Sequence, residues 1–374
     1  MPCSKKQFLT RLREGSLSKG SRIKKAYMKK NEKKLSASQQ KRITSIGGSA
    51  LIEGIMMRGP KRTTVACRVD KENIYTEDID IKTFASRGKF FRIPLIRGIF
   101  GMIDSMRLSY KALGISADKA MEVGTMEEEE PSKFEKWLDD KFGDKLMNVI
   151  MVIATVLGVA LALGLFVFLP AALFDWTLGG FFKTADPATG AETYTLAGQF
   201  VKSAFCGVLK IALFIGYMLL VSQMQDMRRV FQYHGAEHKT IFCYENDEEL
   251  TVENVKKQIR FHPRCGTSFL VVTLLVSIIV GLFIPVAPFG VKVLNPIFRL
   301  LLVPVMVGLG YEFIKLCGKH DNKLTRILAT PGLWAQRITT KEPSDDMIEC
   351  AITAMKAVIP EDGSDIVNDC SCAQ

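Results

Sequence analysis

The chain has 374 residues, 48% of them hydrophobic, and a formal net charge of +11. That length allows two or three structural units, and the apolar residues fall into a few long runs, which points away from an ordinary soluble domain. The nine cysteines are scattered without CxxC spacing, which argues against a disulfide framework and fits reduced thiols facing a cytoplasm.

Residues 1–45 hold 14 Lys and Arg against Glu14 and Glu32, a net of +12, so the rest of the chain is close to −1. The arm lacks the apolar core of a secretory signal. It is expected to be a disordered cytoplasmic arm drawn to the acidic headgroups of membrane lipids, with ribosome or RNA contact as the lesser alternative because no nucleic-acid-reading module follows it.

Residues 46–130 are predicted to form a small cytoplasmic α+β unit. It opens on the Gly-rich stretch SIGGSALIEGIMMRGP, which is neither a P-loop nor a dinucleotide fingerprint. TTVACRV and NIYTEDIDI then read as two strands joined by a polar turn at Asp70 to Glu72. Leu95, Ile99, Met102, Ile103, Met106, Tyr110 and Leu113 follow at helical spacing. The apolar stretches there are too short to span, so this helix is expected to lie in the interface or to cover the β unit. The acidic run at 127–131 reads as a linker.

Residues 131–320 are predicted to be a membrane domain. Four apolar runs approach the roughly 20 residues a helical span needs: Leu146 to Phe174, Ser203 to Val221, Ser268 to Val286, and Leu300 to Leu316. Arg228, Arg229, Lys239, Lys256, Lys257, Arg260 and Arg264 crowd the middle connection, whereas the other two carry few basic residues. By the positive-inside bias the middle loop, 224–267, and both termini face the cytoplasm. Residues 321–374 add an amphipathic helix carrying Ile348, Ala351, Ile352, Met355, Val358 and Ile359, expected to pack on the cytoplasmic unit. The fold class is thus an α-helical integral membrane protein of the plasma membrane, with four transmembrane helices and a small cytoplasmic α+β N-terminal unit.

Three of the four histidines lie in the middle loop, in YHGAEHKT and RFHPRCGT. On a helix, His234 and His238 share a face, with Glu237 on the same side. His234-Gly-Ala-Glu237-His238 matches the H-x-x-E-H pattern of inverted zincin peptidases, in which two histidines hold zinc and the carboxylate activates water. Gly235 lowers the expectation of regular helix there. His262 and Cys265 add two further zinc-type donors, and Glu312, a carboxylate near the cytoplasmic end of the fourth run, is another candidate ligand. His320 beside Cys317 ranks below these.

Each residue also has a purely structural reading. The histidines could hydrogen-bond at the interface, Glu237 could pair with Lys239 or Arg264, and Glu312 could be neutralised by Lys315 or Arg264. A closed four-ligand site would be structural; three protein ligands with a free Glu237 would be catalytic. The enzyme reading is a zinc hydrolase at the cytoplasmic face, with Glu237 as general base and a peptide or lipid-linked substrate. The competing readings are a non-catalytic membrane factor with a structural metal site and a transporter.

GGSALIEGIMMRGP, IPLIRGIFGMIDSM, YHGAEHKTIFCYE, LTVENV, RFHPRCGTSFL and PGLWAQRITTKEP together resemble the YqhQ-like family, bacterial membrane proteins grouped under a domain of unknown function. The similarity runs from about Ile46 to Val358. The resemblance implies a metal-dependent enzyme without an established substrate, with His234, Glu237, His238, His262 and Cys265 as the residues behind it.

Overall fold

The computed structural model describes residues 43–70, 72–80, 82–123, 149, 152–185, 192–283, 300–319 and 323–366. The arm up to residue 42, the acidic linker, parts of the first and third apolar runs, and His320 lie outside the described residues.

Four antiparallel strands, β1 (Gly47–Leu51), β2 (Gly54–Arg58), β3 (Thr63–Arg68) and β4 (Ile74–Asp78), form a meander in sequence order. The β3–β4 turn is held by Asp70, whose Oδ1 accepts the Glu72 and Asn73 backbone N–H groups at 2.8 and 2.7 Å. β2 and β3 have apolar residues in succession rather than in alternation because both faces of the sheet are covered. Leu51, Met56, Val65 and Cys67 pack on Leu108 and Ala112 of helix α1 (Ile96–Glu122). Ile55, Met57 and Ala66 face the opposite core.

Among the described residues, two helices are long and apolar enough to cross a bilayer: α2 (Val152–Thr177) and α3 (Leu196–Val221), 26 residues each. A short hairpin, β5 (Lys183–Ala185) with β6 (Glu192–Tyr194), lies between them. Their exposed surface is rich in large apolar side chains, among them Val156, Leu157, Leu161, Val208 and Leu220, which in water would be an aggregation face.

The chain turns from α3 almost directly into α4 (Gln225–Glu245), then α5 (Val252–Lys256), the apolar α6 (Gly266–Phe283), α7 (Val303–Lys319), α8 (Lys323–Thr339) and α9 (Asp345–Val358). α6 packs against α3, α7 and α8. α9 lies on β2, β3 and α4, where Met347, Ile348, Ala351, Met355 and Val358 join Tyr233, Ala236 and Ile241 in the second core. The described chain is therefore mostly helical, with a small antiparallel sheet near its N-terminus.

Candidate metal centre

α4 is a polar helix whose later turns, from Phe231 on, are largely buried: Glu237, His238, Lys239, Thr240 and Glu245 are each 5% exposed or less. Buried charge is costly unless partnered, and most of these groups have partners. Lys239 pairs with Glu342 at 2.6 Å and donates to the Lys256 carbonyl at 3.1 Å. Glu245 takes the Arg264 guanidinium and, at 2.9 Å, the Thr44 backbone N–H. Burial opposes its ionisation, but contacts from His262 and Arg264 hold it below the ordinary carboxylate value. Two atoms stand apart: Glu237 Oε2 and His238 Nε2 have no hydrogen-bond partner.

Gly235 does not break α4, contrary to its expected effect on the helix. A Cβ at 235 would lie 2.0 Å from the Lys341 carbonyl oxygen, so glycine is there for close approach to the segment after α8. The regular helix that results brings the His234 and His238 rings together edge to face, their centroids 4.4 Å apart.

The same close approach orients the imidazoles. His234 Nδ1 lies 2.9 Å from the Thr339 carbonyl and His238 Nδ1 2.6 Å from the Arg260 carbonyl. A carbonyl only accepts, so each Nδ1 carries the proton and each Nε2 is left as a donor atom. His234 Nε2 lies 3.1 Å from the sulfur of Cys265, just ahead of α6, and the ligand atoms of His234, His238 and Cys265 all lie within 4.8 Å of one another. Burial alone would push the Cys265 thiol up, but the facing His234 and His238 imidazoles hold it well below the ordinary thiol value. The sulfur in turn outweighs burial at His234 and raises it. The proton of this buried pair occupies the place where a soft cation would bind two imidazoles and a thiolate.

Glu237 sits against the same cluster. Burial is the largest influence on its carboxyl and raises it, opposed by both imidazoles and by the Gly48 backbone N–H, which donates to it. Gly48 is on the outer strand β1, and a Cβ there would lie 3.1 Å from Glu237 Cδ.

The other expected ligands are engaged elsewhere. The His262 ring is 5.6 Å from that of His238, but its Nε2 faces Arg264 at 3.3 Å and Glu245 at 3.7 Å. Burial lowers it to about 4, so it is a neutral imidazole. Glu312 lies outside the cluster: its two oxygens take Arg97 Nε and Nη2 at 2.7 and 2.5 Å. Sequence reasoning singled out neither Gly48 nor the Thr339 carbonyl. It also passed over Gln336, fully buried, which accepts from the His262 N–H and donates to the His262 carbonyl and the Ser268 hydroxyl, tying down the turn that presents Cys265. The Gly-rich stretch was the one available signal, for Gly48.

Fold and site together define a mainly helical protein with helices fit to cross a bilayer and a buried donor set of two imidazoles and a thiolate beside an incompletely bonded carboxyl. The chain belongs to the family described as protein of unknown function, DUF1385, which it matches over residues 93–361. It is 32% identical over 318 residues, 84% of this chain and 92% of the relative, to the uncharacterized protein YqhQ of Bacillus subtilis (strain 168). No solved structure matches it.

Proposed function

We propose that the protein is a multi-pass enzyme of the plasma membrane, with four spans and both termini cytoplasmic, that hydrolyses a peptide or lipid-linked substrate at the cytoplasmic face. His234, His238 and Cys265 would hold a divalent metal, zinc by the softness of the donor set. The four spans comprise α2, α3, α6 and α7, and the basic connection containing α4 supports its cytoplasmic assignment. The observation that carries the reading is the pair of orphaned buried atoms, His238 Nε2 and Glu237 Oε2, beside the Cys265 sulfur.

When bound, the metal would supply Lewis acidity toward a substrate carbonyl or phosphoryl oxygen and toward water. The chain's own residues do the rest. The Thr339 and Arg260 carbonyls hold the Nδ1 protons, so that Nε2 of each imidazole is the atom that would face the metal. Gly48 fixes the Glu237 carboxyl through its N–H, leaving Oε2 to accept a proton and return it to the leaving group. Burial raises the carboxyl, which favours its holding the proton between the two transfers.

Metal analysis of the detergent-purified chain, prepared without chelator, tests this. About one zinc per chain is expected, lost in His234→Ala and Cys265→Ala and retained in Glu237→Gln. Cells carrying Glu237→Gln should accumulate an uncleaved membrane peptide or lipid-linked species. A wild type with no stoichiometric metal overturns the proposal. The arm's net charge of +12 favours a second reading, a non-catalytic membrane factor docking acidic lipid or a ribosome around a structural metal; in that case Glu237→Gln would keep its metal and change nothing in the cell.

A further inference from the structure

The segment leading into α1 has a composition unlike the rest of the described cytoplasmic unit. Between positions 82 and 103 it carries Lys82, Arg87, Lys89, Arg92 and Arg97 and no acidic residue at all. Lys82, Arg87, Lys89 and Arg92 are exposed. Phe84, Phe91 and Phe100 form an internal aromatic knot, with ring centroids 4.8 to 5.5 Å apart, and Arg87 lies over the Phe84 ring at 4.5 Å. The knot fastens the segment to α1 and leaves two large apolar side chains facing solvent: Phe90, whose ring meets Phe91 edge-on at 5.5 Å, is 59% exposed and Ile93 47%.

The apolar surface does not stop there. On α1, Leu108 and Ala112 pack on the sheet and Asp104 accepts the Phe84 backbone N–H, while Ile103, Met106, Tyr110 and Leu113 form an exposed stripe at spacings of three and four. Helix propensity and solubility give no reason for that stripe, since the helix already buries its other face.

Its place is fixed by the first turn of α1. A Cβ at Gly98 would be 2.8 Å from Tyr311 Cβ, and one at Gly308 would be 2.7 Å from the Leu95 carbonyl oxygen, so α1 begins in backbone contact with α7. The Arg97–Glu312 ion pair locks the same crossing. Because α7 is read as the fourth span, with Glu312 near its cytoplasmic end, the basic-aromatic segment is brought to the level of the headgroups.

We infer that residues 82–97, continued by the exposed stripe of α1, form a docking platform for the anionic headgroups of a bilayer, separate from the N-terminal arm. Cations meet the phosphates while Phe90, Ile93 and the α1 stripe enter the apolar boundary, the arrangement that holds interfacial helices. The platform also sets the height of the candidate metal centre. α1 carries the sheet on its inner face, and Gly48 of that sheet is bonded to Glu237. The inference uses the membrane assignment but no property of the metal or of a reaction.

The test uses full-length Phe90→Trp, a change at an exposed position, in nanodiscs of phosphatidylcholine and phosphatidylglycerol in which one or the other lipid is brominated. The increment of tryptophan emission over wild type should be quenched several-fold more by the brominated anionic lipid. That preference should fall to unity when Lys82, Arg87 and Lys89 are changed to Gln in a chain that keeps its native melting profile, and it should weaken in high salt. An increment quenched by neither lipid would sink the platform, including the case in which cross-linking through Tyr110→Cys shows a second copy covering the stripe. Equal quenching by both lipids in the Phe90→Trp parent would remove the anionic specificity and overturn the inference as stated.

Discussion

Gly235 offers the sharpest test of how the candidate centre is assembled. In Gly235→Ala the new Cβ would start 2.0 Å from the Lys341 carbonyl oxygen, whereas carbon and oxygen settle at about 3.3 Å, so the strand of chain after α8 must retreat by about 1.3 Å. That movement stretches the Lys341 N–H bond to the Phe231 carbonyl, now 2.8 Å, and the His234 bond to Thr339, now 2.9 Å, past useful length. Two hydrogen bonds at about 1 kcal/mol each, with about 1–3 kcal/mol of overpacking, oppose about 1 kcal/mol gained in helix propensity. The net expectation is a loss of about 2–4 kcal/mol. Thermal unfolding in detergent measures it, and metal content should fall in step because His234 loses its orienting carbonyl. Gly114→Ala is the control: a Cβ there meets nothing within 4 Å, so the same substitution should be neutral or stabilising by up to about 1 kcal/mol. A Gly235→Ala chain as stable as Gly114→Ala, with its metal intact, would refute the reasoning.

The Glu245 carboxyl is held below its ordinary value of 4.5, so its contribution to stability is fully present above that pH and is lost as pH falls through the lower folded value. Glu245→Gln should therefore lower the melting temperature at neutral pH and flatten its decline below about pH 4.5, measured in chelator so that metal loss is common to both chains. Thiol reactivity should be ranked by place. Burial pushes Cys67 and Cys350 up to about 12 and Cys243 to about 11, so in metal-free protein iodoacetamide should modify Cys265 ahead of all three, read by peptide mass spectrometry, and added zinc should protect it.

The fold was legible in the sequence where one periodicity dominated. TTVACRV and NIYTEDIDI read as strands because β4 has an outer position and the Asp70 turn is polar, whereas β1 and β2 hid inside the Gly-rich stretch. Gly47 and Gly48 have low strand propensity, and Ile55-Met56-Met57 cannot alternate when α1 covers one face and α4 with α9 cover the other. α1 was read as either interfacial or covering. Its Leu108 side covers the sheet, and its Met106 and Tyr110 side is exposed, so one pattern of apolar residues served two faces and gave an ambiguous signal.

The site was legible to the extent that local spacing implies direction. His234 and His238 meet because four residues of helix bring side chains to one face, and Gly235, which argued against that helix, is explained by a contact with Lys341 more than a hundred residues away. Depth is a weaker guide than spacing. Glu312 was proposed as a ligand from its height along a span, but height leaves the rotation about the helix axis undetermined, and the side of α7 that carries Glu312 faces Arg97 rather than Cys265. His262 fails for a related reason: three residues separate it from Cys265, yet Gln336 grips its backbone and its ring turns toward Arg264 and Glu245. The groups that hold the site in place are mostly backbone atoms, the Gly48 N–H and the Thr339 and Arg260 carbonyls, and residue identity says nothing about them. A fold that bonds those atoms to particular side chains leaves His238 Nε2 and Glu237 Oε2 as the unpaired buried side-chain atoms of α4, and the functional proposal rests on that pair.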